Sequence, residues 1–215
     1  MGDLIYLEDR RSGRSRPVTA SSPSFFFDVG CPQSYLTAER IERVLGKVEW
    51  VPTGAEWLHA ERSPRELEAM REQAHTRARA LRLPLVWPER FPSRATCALR
   101  AASRACELGA GSSFVLAAMR LHFCGGFDLD DPETLAEAAA AGGLSLEECL
   151  ETAGDADRDR GLRAVAEGLR DRGLHELPVI RVGRRWFEGE RGLAAAAAAL
   201  LSESSAHVRP LAPAS

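Results

Sequence analysis

The stretch Ser24-Phe25-Phe26-Phe27-Asp28-Val29-Gly30-Cys31-Pro32-Gln33-Ser34-Tyr35-Leu36 sets a run of strand formers directly against the start of a helix. Residues 24–29, bounded by Pro23 and Gly30, are almost continuously apolar, which predicts a short strand buried on both faces. Gly30-Cys31-Pro32 reads as a turn. Beyond it Tyr35, Ala38, Ile41 and Leu45 recur at helical spacing and Gly46 follows, so a helix is predicted over about 33–45. Residues 48–52 read as a second strand, and strand, helix and strand together make a βαβ unit.

Outward from this unit the pattern becomes helical. Ser63-Pro64-Arg65-Glu66 is a capping box with proline in the first helical position. Helical patterns then continue to about Gly173, interrupted by a loop that carries Pro84, Pro88 and Pro92 with Trp87 and Phe91. Residues 113–124 are apolar nearly all round, as in the buried centre of a bundle. Strand character returns over 178–182, Gly183-Arg184 forms a hairpin turn, and 185–188 is the partner strand. A last helix through the alanine run 194–199 reaches about Ser202. The layout is βαβ, a helical block, then ββα, an α/β arrangement. It predicts a disordered tail over 1–22, a discontinuous sheet domain over 23–58 and 174–203, an inserted helical domain over 59–173 and a loose tail over 204–215.

Composition narrows the function classes. A formal net charge of −3 gives no global field to attract nucleic acid or an anionic membrane, so neither is expected as a partner. No stretch is apolar for long enough to span a bilayer, and the first 22 residues lack the apolar core of a secretory signal. The five cysteines, Cys31, Cys97, Cys106, Cys124 and Cys149, are odd in number and far apart. Free thiols and a cytoplasmic location are therefore expected. His122-Phe123-Cys124 is the nearest approach to a metal-ligand spacing and is too sparse for a site, so no metal is expected.

Cys31 stands apart from the other cysteines because it precedes a helix. Helix starts present unbonded N–H groups and about half a positive charge, both of which favour a thiolate. Cysteines so placed can fall to a pKa of about 3.5–7.5. Pro32 suits the first helical position, and the Ser34 hydroxyl in the first turn can donate to the sulfur. The other four cysteines sit on apolar helical faces or near a helix end and read as core residues.

The opening motif resembles that of kappa-class glutathione transferases and 2-hydroxychromene-2-carboxylate isomerases, in the DsbA-like branch of the thioredoxin superfamily. Leu177-Pro178 through Gly189 resembles the cis-proline strand and hairpin of that branch, and Arg100, the run 119–126, Asp128 and Asp130 resemble its helical region. The likeness implies a thioredoxin fold with a large helical insertion over roughly 24–200. It places Cys31 where the branch has a catalytic serine or nucleophilic cysteine, and it implies that Leu177 offers its backbone to a ligand beside the sulfur. It further implies a low-molecular-weight thiol such as glutathione as cofactor and a homodimer as the assembly. Three positions depart from the branch's pattern: Gln33 replaces a tyrosine, Arg94 an asparagine, and Glu190-Arg191 the serine-aspartate pair that holds the γ-glutamyl end of glutathione.

The candidate site is then Cys31 and Ser34 for the chemistry, and Pro32, Gln33, Leu177, Pro178, Glu190 and Arg191 for binding. Trp57, Trp87, Phe91 and Arg94 are candidates to line a pocket for an aromatic substrate. With Ser34 where a dithiol enzyme has its second cysteine, a mixed disulfide has no internal thiol to resolve it. Two enzymatic expectations follow. Cys31 exchanges with a disulfide and an external thiol resolves the adduct, or the site activates a small thiol for isomerisation or transfer at an electrophile. A non-catalytic binding protein is the third expectation.

Overall fold

The computed structural model describes residues 22–207; the predicted tail over 1–22 lies, but for its last residue, outside the described residues, as does the tail beyond 207. Four strands form one sheet, β1 (Ser24–Phe27), β2 (Glu49–Pro52), β3 (Val179–Val182) and β4 (Arg185–Glu188), in the order β2-β1-β3-β4. β1 and β2 run parallel, with Phe25 opposite Trp50. β3 lies antiparallel to β1 with Val179 opposite Phe26, and pairs antiparallel with β4 through the Gly183-Arg184 turn.

The helices are α1 (Pro32–Leu45), α2 (Ala55–Leu58), α3 (Pro64–Leu81), α4 (Thr96–Glu107), α5 (Gly111–Gly125), α6 (Pro132–Gly142), α7 (Leu146–Gly154), α8 (Asp159–Arg170) and α9 (Gly192–His207). The capping box at α3 forms in both directions between Ser63 and Glu66. Asp131 and Ser145 cap α6 and α7 through their side chains. The short helix α2 was not predicted, being too brief to show a period. α9 continues to His207, past the end expected near Ser202.

Alternation along the strands divides the interior. Phe25, Phe27, Trp50, Ile180 and Val182 face one way and join a large cluster with Ile41 of α1, Leu99 of α4, Phe114 of α5 and Leu193 of α9. Phe26, Val179 and Trp186 belong to a smaller cluster with Leu58 of α2 and Leu169 of α8. The central strand is thus buried on both faces, as its composition requires. Helices α3–α8 are inserted between β2 and β3 in sequence. In space the apolar core runs without a break from the sheet into them. No helix among the described residues is long and apolar enough to cross a membrane.

Candidate active site

β1 ends at Phe27 and the chain turns through Asp28, Val29 and Gly30 into α1, whose N-cap is Cys31. Asp28 holds the turn closed. Its carbonyl oxygen accepts the Cys31 N–H at 3.1 Å and its Oδ1 accepts the Gly30 N–H at 2.7 Å. Its Oδ2 accepts the Ala55 N–H at 2.7 Å, tying the turn to the first residue of α2. The Asp28 N–H in turn donates to Ser34 Oγ at 3.4 Å. A carboxylate this enclosed is costly to ionise: burial, opposed by the two backbone N–H bonds and aided by the charge of Glu56, raises Asp28 to about 6.

Cys31 is half-buried. Its thiol has two acceptors within reach, Gln33 Oε1 at 3.5 Å and the Leu177 carbonyl oxygen at 3.8 Å. The second contact crosses 146 residues of sequence and brings the Leu177–Pro178 corner to the sulfur. That peptide bond is cis, as the resemblance implied. The corner is itself fastened, because the Gly189 N–H donates to the Pro178 carbonyl oxygen at 2.8 Å.

The expectation of a depressed thiol pKa is corrected. Cys31 does occupy the helix start, and the Ser34 hydroxyl with the Ser34 and Gln33 N–H groups favours the thiolate. Enclosure of the sulfur by Leu177 and the wall of α2 and α8, followed by the charge of nearby Asp28, outweighs them and pushes the thiol up from its ordinary value.

With this geometry established, the DSBA-like thioredoxin domain family matches residues 24–200. The chain belongs to the DsbA-like thioredoxin family. Its fold is similar to that of a 2-hydroxychromene-2-carboxylate isomerase, at a TM-score of 0.74 and 15% identity over 87% of this chain and 99% of the other. It is also similar to a probable DsbA oxidoreductase from Streptomyces coelicolor, at a TM-score of 0.67 and 21% identity over 89% and 93%. A search of curated protein sequences gives no match.

The remaining predicted residues of this DsbA-like chain divide by place. Pro32, Gln33, Ser34, Leu177 and Pro178 gather at Cys31. Glu190 lies beyond Gly189 and is buried. Its carboxylate is taken by Arg40 of α1 and by Arg77 of α3, whose Nη2 donates at 3.0 Å. Both of its oxygens are thus engaged by arginine N–H groups. Burial alone would raise its pKa, but the bonds and charges of the two arginines hold it below the usual carboxylate range. Arg191 beside it is exposed.

Trp57 packs against Gly54 and the large core, with the Arg163 guanidinium 5.5 Å from its ring centroid. Trp87 donates its indole N–H to His75 Nε2 at 2.5 Å and packs edge-on against Phe91, and Arg71 lies over both rings. All three aromatics are half-buried and pack against neighbouring side chains. Arg94 is exposed, in the segment that crosses beside Gly30. Sequence reasoning missed Asp28, although its place three residues before Cys31 was a usable signal. It also missed that Cys31 packs against the small apolar cluster of Leu58, Leu169, Leu174, Leu177 and Val179, which only the fold assembles.

Proposed function

We propose that this chain is a single-cysteine thiol–disulfide oxidoreductase in which Cys31 forms a mixed disulfide with a substrate disulfide, and an external low-molecular-weight thiol resolves it. The observation that carries the reading is the half-open sulfur of Cys31 at the start of α1, facing the backbone of Leu177 beside a cis proline. An extended substrate can pair with the Leu177 backbone like an added strand and so bring its disulfide to the sulfur. In the first step Cys31 loses its proton to solvent and the thiolate attacks one sulfur of the substrate. An S–S bond to Cys31 forms, the substrate's S–S bond breaks, and the departing thiolate takes up a proton. In the second step the external thiolate attacks the substrate-derived sulfur, releasing Cys31 as thiol. The external thiol and the released group leave joined as a disulfide. Ser34, whose hydroxyl is hydrogen-bonded within the turn, cannot replace that external thiol.

A second reading is favoured by the raised thiol. A protonated Cys31 can donate its S–H to the thiolate of a bound small-molecule thiol such as glutathione, in the way a serine hydroxyl would. The thiolate then adds to an electrophilic, aromatic substrate held beside Cys31 and the small apolar cluster it packs against, for isomerisation or transfer. Cys31→Ser separates the two readings. Exposure to glutathione disulfide, with peptide mass analysis, is expected to give a Cys31 adduct that free thiol removes and that Cys31→Ser abolishes along with disulfide-exchange activity. Retained turnover of a thiol-dependent isomerisation in Cys31→Ser, with no adduct on the parent protein, would support the second reading and sink the first.

A further inference from the structure

His122 is buried completely in α5, and nothing in the proposed chemistry uses it. Burial, opposed by the Phe127 carbonyl and by the charges of Asp128 and Asp130, lowers its pKa. The ring Nδ1 lies 2.7 Å from the Phe127 carbonyl oxygen, and Nε2 lies 3.0 Å from Ser93 Oγ. The same hydroxyl lies 2.9 Å from the Arg90 carbonyl oxygen. Ser93 is thereby pinned between α5 and its own loop.

The pinned segment is strained and lies against the Cys31 turn. Ala95 takes a left-handed backbone with φ of +50°, a region that strains a residue with a Cβ. The Ser93 carbonyl oxygen and the Ala95 methyl close over Gly30: a Cβ placed on Gly30 would meet them at 3.0 and 3.4 Å. Gly30 is held by Asp28 and immediately precedes Cys31. A tether, a strained residue and a close approach therefore lie in series between α5 and the sulfur.

We propose that His122 is a positioning residue for Cys31. Through Ser93 it holds the segment 93–95 in its strained conformation, as one wall of the turn that presents the sulfur. The inference rests on the reading of Cys31 as the reactive group, and it states what steadies the turn that presents that group. Cutting the tether lets Ala95 relax and the wall withdraw from Gly30, so the turn loosens and presents the sulfur to solvent more readily.

The experiment compares Ser93→Ala and His122→Leu, each with and without Ala95→Gly, with Ala95→Gly alone as the reference. Cys31 alkylation by iodoacetamide at pH 7 and hydrogen exchange at the Gly30 and Cys31 amides are followed in every variant, with peptide mass analysis. Both single variants are expected to alkylate Cys31 roughly three- to tenfold faster and to exchange those amides faster. Glycine takes the left-handed conformation without strain but gives up the methyl over Gly30, so each double variant is expected to match Ala95→Gly alone in both readouts. Lost core packing at His122 would not be repaired from position 95. Should His122→Leu fail to fold, the Ser93→Ala pair decides alone. Unchanged alkylation and exchange in Ser93→Ala overturns the inference, as does a double variant that stays faster than Ala95→Gly alone. If Cys31 alkylates in no variant, the oxidoreductase reading falls, and the two amides still decide whether His122 positions the turn.

Discussion

Asp28 and Glu190 are both buried carboxyls, and their surroundings drive them in opposite directions. Asp28 has only two backbone N–H groups to offset burial and rises from 3.8 to about 6. A raised acid penalises the folded state once both states are ionised, so the penalty is absent below the unfolded value and grows as pH climbs from about 4 to 6. It reaches about 3 kcal/mol. Replacing Asp28 with Asn is expected to flatten the stability curve across that window, read as urea midpoints at pH 4, 5, 6 and 7. An unchanged slope would show that the carboxyl is not the titrating group. The same substitution removes a negative charge beside Cys31 and is expected to speed its alkylation at pH 7. Glu190 has two guanidinium partners and is lowered instead, so its stabilisation holds above the ordinary glutamate value and is lost as pH falls below it. Neither direction could be read from the local sequence. The helix-start field on Cys31 was legible from Gly30-Cys31-Pro32, but the enclosure that overrides it is built by α2, α8 and the Leu177 corner, remote in the chain.

At the scale of elements, the strands and the helix next to the motif were legible because each carries its own period and boundary. A continuous apolar run marks β1 as buried on both faces, Pro32 opens α1, and Gly46 closes it. What joins the elements was not legible. Glu190 reaches Arg40 across 150 residues and Arg77 across 113, and no local pattern announces either pair. The clamp ties the corner before α9, and through Gly189 the cis-proline strand, to the helix that bears Cys31. Glu190→Gln leaves two cations facing a neutral amide. Arg77 is 35% exposed, so solvent relieves part of the cost, and a loss of about 2 kcal/mol is expected. Denaturant unfolding measures it, and Cys31 alkylation is expected to change alongside, because the clamp positions Leu177 against the sulfur. A variant as stable as the parent, with the same alkylation rate, would mean the clamp holds nothing that matters to the site.

Over the whole molecule, the sequence reading drew a boundary near residue 59 because composition turns helical there, and composition carries no record of shared burial. The structure's apolar interior crosses that line. Tyr35 of α1 stacks on Phe123 of α5 with centroids 5.3 Å apart, and Phe25 and Phe114 belong to one cluster. Elements that share a core lose it together, so the sheet and the helical block should unfold as one cooperative unit. Phe123→Ala is a direct probe, since the ring is fully buried and its removal leaves a cavity bordered by both parts. The expected cost is about 3–5 kcal/mol. Native-state hydrogen exchange is expected to show the slowest amides of β1 and β3 losing as much protection as those of α5. If the strands instead keep their protection while α4–α6 lose theirs, the block is a separate folding unit and the boundary near 59 is a real one. In that case the His122 tether would join two independently folding bodies, and loosening the block alone would be enough to uncover Cys31.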